Sequence, residues 1–113
     1  MNVSVFDFHC DTALALLGKD MNSAGDLRKN NHHIDLERAS KLTGYAQCFA
    51  CFTSTWEKLP KGLTVTDVFE REMNVLLREF DKNKKVIRQA YSAADVRKNY
   101  ENGLMSAILT IEG

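Results

Sequence analysis

Residues 3–12 read Val-Ser-Val-Phe-Asp-Phe-His-Cys-Asp-Thr. The run has the composition of a strand whose far end carries polar, ligand-type side chains. Side chains alternate faces along a strand. On that spacing Asp7, His9 and Asp11 share a face with Val3 and Val5, while Phe6, Phe8 and Cys10 share the other. One face is then apolar at its start and charged at its end. The opposite face is ready to pack under helices. Ionised groups gathered at a strand end are costly unless something pairs with them. Two readings stand at this point. Either two carboxylates and one imidazole hold a cation, or a surface strand end pairs its His and Asp side chains with each other and with water.

Working outward, Thr12 is placed to cap a short helix through Ala13, Leu14, Ala15, Leu16 and Leu17, with Gly18 to stop it. Residues 18–34 are polar and rich in turn formers. A loop of that length in a small domain is either functional or mobile. Beside the strand end, it is placed to border a substrate cleft. His32 and His33 within it read as solvated loop histidines, because two adjacent side chains rarely converge on one ion. Asp35 reads as the N-cap of a short helix through Leu36, Ala39 and Leu42, closed by Gly44.

Tyr45 to Phe52 is a short apolar, aromatic run that suits a buried strand. Its Cys48-x-x-Cys51 pair would point to opposite faces of a strand, and no second pair completes a zinc cluster. Both therefore read as small core residues. The stretch from Thr53 to Gly62, with Trp56 and Pro60, reads as a loop. From Thr64 a helix follows with an apolar stripe of Val65, Phe69, Met73, Leu76, Leu77 and Phe80. Acidic residues lie early and lysines late, which suits the helix dipole. Val86 to Tyr91 reads as a short strand or an extended link. Ser92 and Asp95 form a capping-box pattern for a helix through Val96 and Tyr100, ended by Gly103. Met105 to Ile111 is a strongly apolar strand, followed by Glu112.

Helices and apolar strands alternate, which argues for βα units and a largely parallel sheet. In such folds ligands sit at the carboxyl ends of strands. His9, Asp11 and Glu112 all lie there. An acidic residue directly after an apolar strand is odd as packing, so Glu112 favours the cation reading.

Composition narrows the function classes. At 113 residues the chain can bury a core of its own, and 44% hydrophobic with 27% charged residues is ordinary for a globular protein. Lys plus Arg and Asp plus Glu are equal at 15 each, so no net field draws nucleic acid or an anionic membrane. No basic stripe interleaves with aromatics. No apolar run approaches the roughly 20 residues of a membrane span. The N-terminus lacks the basic and apolar regions of a signal peptide. Three Cys without such a signal point to reduced thiols in the cytoplasm.

Val-Phe-Asp-Phe-His-Cys-Asp-Thr at 5–12 and Ala-Ile-Leu-Thr-Ile-Glu-Gly at 107–113 together resemble the membrane (renal) dipeptidase family. His33-Ile-Asp-Leu-Glu-Arg, followed by Gly44-Tyr-Ala-Gln-Cys-Phe-Ala, is similar to that family's second block, and Ser92-Ala-Ala-Asp with Glu101-Asn-Gly to the stretch before its glutamate strand. The likeness covers the whole chain, but only about the first third of a full-length member. It implies an α/β fold with parallel strands: an incomplete (β/α)8 TIM barrel, residues 1–113 forming a single N-terminal fragment with about three of eight βα units. It implies a two-zinc dipeptidase that cleaves dipeptides with metal-activated water. By position, His9 and Asp11 would be ligands of the first zinc, and Glu112 the catalytic carboxylate bridging both. Asp7 is placed to orient His9 from behind. The family's two further histidine ligands and its specificity residues lie beyond residue 113. The isolated chain is therefore expected to be incomplete and inactive, with open edges that favour a homo-oligomer or a complementing C-terminal part. Two alternatives remain: a catalytically silent remnant or assembly module of that family, or another barrel-type amidohydrolase or phosphoesterase. The latter commonly carry His-x-His on the first strand, where this chain has Asp11.

Overall fold

The computed structural model describes residues 2–53 and 58–113. Trp56, expected in a loop, lies outside the described residues. Eight elements follow one another: β1 (Ser4–Asp7), α1 (Thr12–Leu17), α2 (Leu36–Ala39), β2 (Gly44–Phe52), α3 (Val65–Lys82), β3 (Ile87–Gln89), α4 (Ala93–Glu101) and β4 (Met105–Glu112). The four strands form one open, all-parallel sheet in the order β1-β2-β4-β3. The α/β class and parallel pairing expected from the sequence are therefore present. Of the short strand or extended link expected over 86–91, Ile87–Gln89 forms a strand, at the sheet edge beyond β4.

That edge position decides where the helices go. Crossovers between parallel strands are right-handed. The steps β1 to β2 and β2 to β3 advance across the sheet, and the step β3 to β4 returns. A returning right-handed crossover must lie on the opposite face, so α4 is separated from α1 and α3. The contacts agree. Phe80 of α3 meets Phe49 of β2 edge-on, with ring centroids 5.1 Å apart. Phe49, Cys51, Ala107 and Leu109 pack with α1 and α3 in the main core. On the other face, Asn99 of α4 donates to Ser106 Oγ at 3.0 Å. Gly44 lies directly beneath Tyr100, where a Cβ would come within 2.6 Å of the ring. The close approach, not backbone strain, requires glycine there.

The helix starts follow local chemistry. Thr64 and Asp67 form a full capping box at α3, and Ser92 Oγ accepts the Asp95 N–H at α4. Gly103, at φ 72, ends α4 in the left-handed region. Asp35 caps α2, but the helix stops at Ala39, so Leu42 lies outside it. At α1 the expected cap is displaced. Thr12 is the first helical residue, and Asp11 takes the N-cap position without a side-chain bond.

The face that α3 buries differs from the expected stripe. Buried are Val68, Glu72, Val75, Leu76, Glu79 and Phe80. Val65 and Leu77 are exposed, and Phe69 and Met73 pack only at the margin. Apolar content alone placed the stripe about Phe69 and Met73. The position of β2 and α1 turns the buried line through 68, 72, 75 and 79, which carries two glutamates inside.

Candidate metal centre

β1 ends at Asp7, three residues earlier than a strand reaching Cys10 would. His9 and Asp11 therefore lie beyond the strand rather than on it. Residues 8–11 continue upward beside β2, tied by the Ala50 N–H to the Cys10 carbonyl at 3.1 Å. His9 and Asp11 still meet: Nε2 lies 3.1 Å from Asp11 Oδ1. The hydrogen bond of Asp7 goes to the His9 backbone and not to its ring. Asp7 Oδ1 accepts the His9 backbone N–H at 3.2 Å, so it shapes the turn that presents the imidazole.

Glu112 arrives from two strands away. It is the last residue of β4, level with Phe52 at the end of β2. Thr53 N–H donates to its carbonyl at 3.0 Å. Its carboxylate reaches across the top of the sheet to lie 3.5 Å from His9 Nε2. One ligand atom each from His9, Asp11 and Glu112 falls within 4.8 Å of the others, and all three side chains are exposed. Ligands of one zinc stand at most ~4 Å apart. Small side-chain rotations would close the difference. Two carboxylates and an imidazole are a donor set that zinc accepts.

The loop after α1 is ordered rather than loose. Asp35 Oδ1 accepts from Arg38 N at 2.7 Å, and its Oδ2 accepts from Arg38 Nε at 2.8 Å and Asn30 N at 3.3 Å. Asn30 also donates to the carbonyls of Asp26 and Ile34, and accepts from His32 N. Burial would raise the Asp35 pKa, but the two amides and the guanidinium outweigh it and hold the carboxyl below its ordinary value. The loop presents His32 and His33 to a cavity of about 280 Å³ that Asp7, His9, Asp11 and Thr12 also line. Both histidines remain exposed, outside the group of three.

The thiols take no part. Cys10, Cys48 and Cys51 are buried and free, and burial raises all three pKa values, Cys51 to about 11. All three are buried core residues, Cys48 and Cys51 on β2 and Cys10 in the segment after β1.

Glu72 was not picked out from the sequence. It is fully buried on α3, and its Oε1 accepts the Phe52 N–H at 3.1 Å. Burial pushes its pKa up to about 7. The Phe52 N–H opposes that rise, and the negative charge of Asp11 adds to it. A legible signal existed: Val68, Val75 and Leu76 lie four before, three after and four after it, which places position 72 on an apolar helix face.

No helix among the described residues is long and apolar enough to cross a membrane. Among curated proteins none matches the chain. A crystal structure described as dipeptidase AC, a metallopeptidase of family M19, superposes with a TM-score of 0.76 at 23% identity. The match covers 100% of this chain and 38% of that one, so the chain spans well under half the length of its structural relative. M19 dipeptidases have a TIM-barrel fold; the four-stranded parallel sheet here is not closed. The profile of the membrane dipeptidase family matches residues 1–113. The chain belongs to that family, peptidase family M19.

Proposed function

We propose that this chain forms one part, a single structural unit over residues 1–113, of a two-zinc dipeptidase centre. His9 and Asp11 would hold the first ion, and Glu112 would be shared with the second. The convergence of these three side chains at the carboxyl ends of parallel strands carries this reading. His9 binds through a neutral imidazole nitrogen, with its backbone fixed by Asp7. Asp11 and Glu112 supply the charge that balances the cations. Bound zinc supplies Lewis acidity, polarising a scissile carbonyl and lowering the pKa of water to about 7. A dipeptide or similarly small peptide is the substrate class. The three free thiols fit a cytoplasmic setting.

The group offers three ligand residues, and two ions need more. A metal-binding but catalytically silent unit is therefore the second reading. The β1 edge, with Val3, Phe6 and Phe8 exposed beside it, supports completion by another strand, from a second copy or a complementing part. Light scattering that finds only monomers would remove the second-copy route.

Zinc titration by calorimetry tests the centre. The purified chain should bind zinc, and His9→Ala and Glu112→Gln should each weaken binding at least tenfold. Unchanged affinity in both would reject the ligand assignment. Dipeptide turnover that a chelator abolishes favours the first reading. Stoichiometric zinc without turnover favours the second.

A further inference from the structure

Glu72 is an odd residue to bury. It is wholly inaccessible, and among the described residues its Oε2 has no hydrogen-bond partner. A buried carboxyl with an unpaired oxygen weakens a packing face, and an apolar side chain of similar volume usually serves such a position better. Its one contact explains its presence. Ala50 N–H, two residues before Phe52, is taken by Cys10 on the β1 side of β2. Alternate amides of a strand point the same way, so Phe52 N–H also faces that side. There the first strand has run out, and the chain has turned into α1 at Thr12. Glu72 supplies the acceptor that a longer strand would have supplied.

Phe52 is also level with Glu112, and Thr53 N–H holds the Glu112 carbonyl. On its other flank β4 is paired only over Met105–Ala107, by β3. Among the described residues the end of β2 is therefore the ladder support at the height of Glu112. Since β2 lies between β1 and β4, its end spaces His9 and Asp11 from Glu112.

We propose that Glu72 is a positioning residue for the metal centre: by fixing the Phe52 amide, it sets the distance between the His9–Asp11 pair and Glu112. This rests on the reading of those three residues as ligands.

The test compares Glu72→Leu, which removes the acceptor at similar volume, with Glu72→Gln, which keeps it. Three quantities are read: thermal midpoint, amide hydrogen exchange at Phe52 and Thr53 in the metal-free chain, and zinc affinity by competition with a chromophoric chelator. Glu72→Leu should keep or raise the midpoint. It should also speed exchange at both amides at least tenfold and weaken zinc binding by roughly 10–100-fold, as loss of a ligand-orienting group does. Glu72→Gln should stay within about threefold of the parent chain on the same scale. Parent-like exchange in Glu72→Leu overturns the proposal. So does a Glu72→Gln variant with fast exchange or weak zinc binding, a result that stands even if Glu72→Leu does not fold. A parent chain that takes up no zinc overturns the ligand reading instead, while the exchange contrast still decides the hold on Phe52.

Discussion

The loop around Asp35 and the seam around Glu72 each bury a carboxyl, at 3% and 0% exposure, with opposite electrostatic results. Asp35 meets two backbone amides and a guanidinium, so both of its oxygens are used and its pKa is lowered. Glu72 meets one amide, has an oxygen unpaired among the described residues, and is pushed up to about 7. Depth therefore does not decide whether a buried acid is charged; the donors that the fold delivers to it do. Where the donors are complete the carboxyl pins a loop. Where they are incomplete it stays at the margin of ionisation beside the candidate metal centre.

The comparison breaks most visibly at Asp35. Asp35→Ala returns the half-exposed Arg38 guanidinium to water but leaves the Arg38 and Asn30 amides without their acceptor. It should cost about 3 kcal/mol in urea unfolding, at roughly 1–3 kcal/mol per orphaned donor. A loss below about 1 kcal/mol would mean that the loop does not depend on this network.

Next in size is the response to pH, where the two acids have opposite signs. Asp35 has a lowered folded pKa, so its stabilisation is present above its ordinary value of 3.8 and is lost as pH falls below that. Glu72 has a raised one, so it favours the folded state in its protonated form. That stability is full below its ordinary value of 4.5 and is lost as pH rises through about 7. Between pH 4.5 and 8 the parent chain should lose up to about 3 kcal/mol relative to Glu72→Gln, at ~1.4 kcal/mol per pKa unit. Parallel unfolding curves for the two proteins across that range would show that Glu72 ionises without penalty.

Asp67 sharpens the comparison with donors but no burial. The Thr64 N–H and hydroxyl lower its pKa, and that N–H donates to it at 2.8 Å. Thr64→Ala removes the hydroxyl that accepts the Asp67 N–H, and should cost about 1 kcal/mol in the same unfolding measurement.

Much of the candidate site is legible in residue types. His9, Asp11 and Glu112 announce themselves as polar groups at the ends of apolar runs, and the structure brings them together. The route is not the expected one. β1 ends at Asp7, before His9 and Asp11, and the chain beyond it is held beside β2 by the Ala50 N–H to the Cys10 carbonyl. Asp7 acts on the His9 backbone rather than its ring. Glu72 escapes a reading by residue type; only the helical spacing of Val68, Val75 and Leu76 marks its face, and the packing of α3 decides that this face is buried.

Period and punctuation in the sequence determine the elements: the alternation of strands and helices, the caps at Asp35, Thr64 and Ser92, and the parallel class that follows from them. These are local effects, and their causes lie within a few residues. The tertiary structure alone decides the strand order, the face taken by α4, the side of α3 that is buried, and the meeting of residues 9 and 112. Those depend on which surfaces pack together. Packing energy is a property of pairs distant in the chain, and no local pattern records it.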